Sequence, residues 1–114
     1  MVRTIIVEDN KENALYLQRL LHANFADFMI VGHAETIEDG VKLIKQLQPD
    51  LVFLDVELGE NTSFELLQKF NQPSFSVIFQ TAHEHYALQA IKMSCLEYLL
   101  KPVSLEDLNA AIQK

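Results

Sequence analysis

The sequence is poor in cysteine, glycine and proline. Cys95 is the only cysteine, which excludes an intramolecular disulfide and a thiolate zinc cluster and favours a reducing cytoplasm. Three glycines and three prolines are too few for the many tight turns of a small β-sandwich. No glycine falls in a G-x-x-x-x-G-K or G-x-G-x-x-G pattern, so we expect no glycine loop that binds a nucleotide.

Positive charge is also scarce, and long apolar runs are absent. Nine Lys and Arg residues stand against 16 Asp and Glu residues, and the net charge of −7 repels nucleic-acid phosphates and anionic membranes. Apolar stretches such as Leu51–Leu54 are strand-sized, and the first ten residues, MVRTIIVEDN, already contain two acids. We therefore expect no membrane span, no secretory signal, and no unaided binding to DNA or lipid.

The chain has the size and the apolar content of one domain. Its 114 residues are 49% hydrophobic, and short apolar runs alternate five times with segments of helical spacing. The predicted strands are approximately Arg3–Val7, Met29–Ala34, Leu51–Leu54, Ser76–Gln80 and Leu96–Leu100. Five alternating strand and helix units predict an α/β fold of the flavodoxin-like type, a doubly wound parallel sheet in the order 2-1-3-4-5.

The intervening segments predict five helices. The first spans about Lys11–Ala23, the third starts near Ser63, and the second and fifth follow the capping sequences Thr36-Ile-Glu-Asp and Ser104-Leu-Glu-Asp. Pro49 should end the second helix. The residues expected on apolar helix faces are Ala14, Leu17, Leu21, Ile37, Val41, Ile44, Leu47, Phe64, Leu67, Phe70, Ala87, Leu88, Ile91, Leu105, Leu108 and Ile112.

Polar side chains follow four of the predicted strands. Glu8 and Asp9 follow the first strand, Asp55 the third, Thr81 the fourth and Lys101 the fifth. Because ligands of such folds bind outside the carboxyl ends of the strands, these residues should share one edge of the sheet. Three neighbouring carboxylates repel one another unless a cation relieves them, and their oxygens suit Mg²⁺. The sequence therefore predicts a magnesium site.

These residues, in this order and spacing, resemble the receiver domain of two-component response regulators over the whole chain. The matching motifs are the Glu8-Asp9 pair, Leu-Val-Phe-Leu-Asp55, Thr81-Ala82 and Lys101-Pro102. The stretch FQTAHEHYALQAIKMSCLEYLLKP is similar to receivers that precede a LytTR-type DNA-binding domain. The resemblance implies that residues 1–114 are a receiver, either stand-alone or, as we expect, part of a longer transcription regulator whose output domain this chain lacks.

The resemblance also implies the role of each site residue. Asp55 would be the phosphoacceptor, with Thr81 and Lys101 on the phosphoryl oxygens and Tyr98 as the switch aromatic. Mg²⁺ would be held by Asp9 and Asp55 directly, by Glu8 through water and by the backbone carbonyl of Glu57. The protein would be a signalling module that catalyses its own phosphorylation and dephosphorylation, with a sensor histidine kinase as donor and a homodimer as the phosphorylated form.

Some features depart from the family pattern or allow another interpretation. Gly59 stands where many receivers have Pro, and Ser63 where they usually have Gly, so the shape of the loop after Asp55 is open. His83 and His85 are two residues apart, which does not place both on one helix face, and a surface position is favoured over a metal site. Cys95 is expected to be a small buried residue.

Two other functions compete with the receiver. A small Mg²⁺-dependent phosphohydrolase or phosphotransferase acting on metabolites also uses an aspartyl phosphate, but 114 residues leave no cap domain to enclose a substrate. A flavodoxin-like electron carrier needs a phosphate-binding turn after the first strand, where Glu8-Asp9-Asn10 would repel the cofactor's phosphate.

Overall fold

Seven strands form two sheets in the computed structural model, which describes residues 1–113. The strands, β1 to β7 in chain order, are Val2–Val7, Phe28–Ala34, Leu51–Asp55, Glu57–Leu58, Asn61–Thr62, Ser76–Thr81 and Glu97–Leu100. Five of them form a parallel sheet in the order β2-β1-β3-β6-β7, and β4 and β5 form a small antiparallel hairpin. The predicted doubly wound order is confirmed, with β6 and β7 as its fourth and fifth strands.

The register of the sheet brings the strand ends to one edge. Val7 of β1 pairs with Leu54 of β3, and Asp55 of β3 pairs with Gln80 of β6. Thr81 of β6 pairs with Leu100 of β7. The residues that follow β1, β3, β6 and β7 are therefore neighbours at the carboxyl edge.

Within residues 1–113, five α-helices cover the two faces of the sheet. They are α1 (Lys11–Asn24), α2 (Ile37–Leu47), α3 (Phe64–Leu67), α4 (Ala87–Lys92) and α5 (Leu105–Ile112). The predicted caps of α2 and α5 are confirmed, since the Thr36 and Ser104 side chains accept the N–H groups of Asp39 and Asp107 at 3.1 and 3.0 Å. None of the described helices is long and apolar enough to cross a membrane.

The core lies on both faces of the sheet because nearly every residue of the central strands is buried. One face packs against α2, α3 and α4, and the other against α1 and α5. The largest fully buried apolar side chains of the two faces are Ile5, Leu54, Phe64, Leu66 and Phe79 on the first, and Ile6, Leu17, Leu21, Phe53, Ile78 and Leu108 on the second. Cys95 is only partly buried and packs beside the first cluster.

Two of the expected apolar helix faces are only partly covered. In α4, Leu88 and Ile91 are 67% and 66% exposed, and it is Ala90 that packs against the core. Leu105 at the start of α5 is 44% exposed, whereas Leu108 is buried. These helices have only six and eight residues, so only part of each one's apolar surface meets the sheet.

The third helix is much shorter than its apolar spacing predicts. It ends at Leu67, and the N–H groups of Lys69 and Phe70 then bond to carbonyls three residues back, at 3.1 Å each, so the chain tightens into turns. Phe70 still packs inward, against the Phe75 ring at 5.2 Å, but from a loop.

Candidate functional site

Three carboxylates meet at the carboxyl edge of the sheet. Glu8 directly follows β1, and its N–H donates to the carbonyl of Ala34 at 2.9 Å, which continues the β1–β2 pairing. The Glu8 side chain is buried. Asp55 is the last residue of β3 and is also buried, whereas Asp9 is exposed. One oxygen of each carboxylate lies within 4.8 Å of the others, so the sequence-based prediction of a common acidic site is supported by this geometry.

The donor set fits Mg²⁺. Hard cations of this kind prefer carboxylate oxygens and keep several water ligands. Two of the three acids are buried and one is exposed, which leaves room for these waters. The N–H of Glu57, the first residue of β4, donates to Asp55 Oδ1 at 3.2 Å. The backbone of Glu57 therefore lies beside Asp55, and its carbonyl stays a predicted ligand.

Lys101 lies between the two buried acids. Its Nζ donates to Asp55 Oδ2 at 2.9 Å and to Glu8 Oε1, and its side chain is only 17% exposed. Burial alone would lower the pKa of Lys101, but the hydrogen bonds and negative charges of Asp55 and Glu8 outweigh it and raise this pKa. The lysine thus stays charged and offsets part of the repulsion between the carboxylates.

The surroundings of Glu8 change its acidity. Burial raises the pKa of Glu8 to about 7, with a further contribution from neighbouring Asp55, although Lys101 and the N–H of Asn10 oppose the shift. The metal-free site can therefore take up a proton near neutral pH.

We expect the metal-free protein to lose stability as the pH rises from about 4.5 to about 7. In this range the folded protein holds a proton on Glu8 that the unfolded chain has released, so the free energy of unfolding falls with pH, by on the order of 3 kcal/mol. The measurement is urea denaturation in a chelator between pH 4 and pH 8. Glu8→Gln should flatten the curve, and a wild-type protein as stable at pH 8 as at pH 5 would contradict the prediction.

A backbone hydrogen bond of the sheet joins Thr81 and Lys101. Thr81, the last residue of β6, is buried, and its carbonyl accepts the N–H of Lys101 at 2.8 Å. Its hydroxyl accepts the N–H of His83 at 3.3 Å. Thr81 lies one residue beyond Gln80, the pairing partner of Asp55, and so stands at the same edge as the acids.

Tyr98 contacts the loop that carries Thr81. Its ring is partly buried, and its hydroxyl donates to the carbonyl of His83. Burial, with smaller contributions from the charges of Tyr86 and Glu84, raises the pKa of Tyr98, although a hydrogen bond with Tyr86 opposes the shift. The loop after β6 is therefore held from β7 by Tyr98.

Several contacts at the site were not predicted from the sequence. His83 is exposed, as predicted, but its Nε2 lies 2.7 Å from Glu57 Oε1, and the Tyr86 hydroxyl donates to Glu57 Oε2 at 3.2 Å. The N–H of Gly59 donates to Asp9 Oδ2 at 3.1 Å. The sequence signals at this loop are the departures of Gly59 and Ser63 from the receiver pattern.

The sequence matches the response regulator receiver domain family over residues 4–113. Among its relatives is the sensory transduction protein LytT of Bacillus cereus, which is 33% identical and aligned over 100% of this chain and 47% of its own length. The sensory transduction protein LytR of Staphylococcus epidermidis is 35% identical over 99% of this chain and 45% of its own. The chain spans about half the length of the relatives it matches.

Solved structures show the same architecture. The response regulatory domain of protein mrkE from Klebsiella pneumoniae superposes with a TM-score of 0.86, at 25% identity, over 97% of this chain and 92% of that one. A DNA-binding response regulator of the LuxR family from Staphylococcus aureus gives a TM-score of 0.81, at 27% identity, over 99% and 97%. The family match, the relatives and the solved structures confirm the resemblance predicted from the motifs. The chain belongs to the response regulator receiver domain family, with LytT and LytR regulators among its relatives.

Proposed function

We propose that Asp55 accepts a phosphoryl group from a phosphohistidine of a sensor kinase. Mg²⁺ would be held directly by Asp9 and Asp55, through water by Glu8, and by the carbonyl of Glu57. The observation that carries this proposal is the convergence of three carboxylates, whose oxygens lie within 4.8 Å of one another, with Lys101. Lys101 donates a hydrogen bond to Asp55. In the transfer, an Asp55 oxygen forms a bond to phosphorus as the bond from phosphorus to the donor's imidazole nitrogen breaks. The imidazole leaves and takes up a proton.

The residues of the chain prepare Asp55 for this reaction. The Glu57 N–H at 3.2 Å and Lys101 Nζ at 2.9 Å hold the two oxygens of the carboxylate in fixed directions. Lys101 is charged and can turn from the carboxylates to the phosphoryl oxygens, where it stabilises negative charge in the transition state. When bound, Mg²⁺ would offset part of the negative charge of the phosphoryl group and of the three carboxylates.

The proposal extends to a switch on the face formed by α4, β7 and α5. The Thr81 hydroxyl accepts the N–H of His83, and the Tyr98 hydroxyl donates to the carbonyl of His83. A Thr81 hydroxyl that turns to a phosphoryl oxygen releases this N–H, so the loop that Tyr98 contacts can move. This face carries four exposed apolar side chains, Leu88, Ile91, Leu100 and Leu105. We propose that phosphorylation makes this face self-associate and so controls a LytTR-type DNA-binding domain elsewhere in a longer protein.

The covalent step is tested with a small phosphodonor such as acetyl phosphate in the presence of Mg²⁺. Mass spectrometry should find one added phosphoryl group, located on Asp55 by peptide mapping after reduction of the acyl phosphate. Chelation of Mg²⁺ should prevent the modification. A protein that stays unmodified with donor and Mg²⁺, or that is modified at another residue, would overturn the proposed function.

The switch is tested by light scattering with beryllofluoride, which stands in for the phosphoryl group. We expect the treated wild-type protein to dimerise more readily than the free protein, and Thr81→Ala to bind beryllofluoride without this gain. The Thr62→Ala variant, in the hairpin strand β5, should respond as the wild type does. An equal monomer fraction with and without beryllofluoride would exclude dimerisation as the output, and a Thr81→Ala protein that dimerises normally would remove the threonine from the switch.

A further inference from the structure

We propose that Gly59, which is not among the metal ligands, positions Asp9 for cation binding through its backbone N–H. This N–H donates to Asp9 Oδ2 at 3.1 Å across a separation of 50 residues. The bond leaves the other carboxylate oxygen with all its lone pairs free for a cation. The inference rests on the proposed Mg²⁺ site and adds to it the residue that orients the exposed ligand.

Asp9 needs such a contact more than the other two acids do. Glu8 and Asp55 are buried and are both held by Lys101, with a further N–H from Asn10 on Glu8 and from Glu57 on Asp55. Asp9 lies on the exposed loop before α1, and within residues 1–113 the N–H of Gly59 is the one hydrogen-bond donor to its carboxylate. An exposed side chain that is already oriented loses less conformational entropy when it binds.

A glycine is required at this position because of its backbone conformation. Gly59 and Glu60 form the two-residue loop between β4 and β5, and Gly59 has a φ of 63°. A positive φ at the first loop residue only is the pattern of a type II′ turn, which demands glycine there. A Cβ at this position would meet no atom within 4 Å, so the requirement comes from φ and not from space.

Proline can supply neither feature of Gly59. Its φ is fixed near −65° and it has no N–H. The receivers that have proline at this position therefore cannot hold the corresponding acid in the same way, and the departure of this chain from that pattern is a different means of positioning Asp9.

The test is the Mg²⁺ affinity of two variants, measured by isothermal titration calorimetry on the full chain. Gly59→Pro removes the N–H, and we expect it to weaken Mg²⁺ binding by about tenfold, in the range found for groups that orient metal ligands. Gly59→Ala keeps the N–H and strains φ, so it should lower the melting temperature in a chelator but change the affinity by less than about threefold. Circular dichroism shows whether each variant is folded at the temperature of the titration.

A second measurement does not depend on the proline variant. Protein labelled with ¹⁵N-glycine gives three amide signals, from Gly32, Gly40 and Gly59, and the signal lost in Gly59→Ala assigns the third. In metal-free protein, Asp9→Ala should speed the hydrogen exchange of the Gly59 amide and leave the other two unchanged. This readout stays valid where Gly59→Pro fails to fold.

The outcomes separate this inference from the proposed function. Wild-type binding of Mg²⁺ with equal affinities in Gly59→Pro and Gly59→Ala would overturn the role of Gly59 and leave the metal site intact. An exchange rate of Gly59 that Asp9→Ala does not change would do the same. A wild-type protein that binds no Mg²⁺ would overturn the metal site and this inference with it.

Discussion

Asp55→Asn should abolish phosphorylation by acetyl phosphate and Mg²⁺ and leave the fold intact. The carboxamide has the shape of the carboxylate and can still accept the N–H of Glu57, which lies 3.2 Å from Asp55 Oδ1. It has no negative charge and is a far weaker nucleophile, so no acyl phosphate forms. Mass spectrometry measures the modification, and circular dichroism with thermal denaturation checks the fold.

Asp50→Asn is a matched control for the loss of one negative charge. Asp50 lies before β3, at the opposite edge of the sheet, where its Oδ2 accepts the N–H of Arg3 at 2.8 Å. This variant should be phosphorylated as fast as the wild type. A fully modified Asp55→Asn protein would refute the assignment of the acceptor, and an unfolded one would refute the expectation that the fold stays intact.

Lys101→Met should destabilise the metal-free protein at pH 7 by roughly 3 kcal/mol, because a buried pair that loses one partner leaves uncompensated charge. Lys101 is the cation that Glu8 and Asp55 share, and both acids are buried. The loss should shrink at pH 5, since the pKa of Glu8 is about 7 and a protonated Glu8 no longer needs the lysine. Urea denaturation in a chelator at the two pH values measures both effects.

A second cation provides the control for this prediction. Mg²⁺ held by the same carboxylates should restore much of the stability of Lys101→Met, because it replaces the missing positive charge. Lys92→Met, which removes an exposed lysine from α4, should stay within about 0.5 kcal/mol of the wild type. A Lys101→Met protein as stable as the wild type at pH 7 would show that the carboxylates do not depend on the lysine.

The acidic site could be predicted from the sequence because its position follows from the topology. Glu8, Asp55 and Lys101 each come directly after an apolar run, and parallel strands bring such residues to one edge whatever the details of packing. The sharing of Lys101 between Glu8 and Asp55 could not be predicted, since it depends on side-chain directions at distances below 3 Å. The same holds for the bond from Gly59 to Asp9, which joins two loops 50 residues apart.

The sequence by itself determined the number and order of the parallel strands, the helix caps at Thr36 and Ser104, and the edge that holds the acids, because these depend on local periodicity and chain connectivity. Only the tertiary structure decided which apolar residues are covered. Leu88 and Ile91 have the helical spacing of a core face, yet they are exposed, because α4 contacts the sheet through Ala90. Periodicity shows which residues can share a face, whereas the packing of one element on another determines which face is buried.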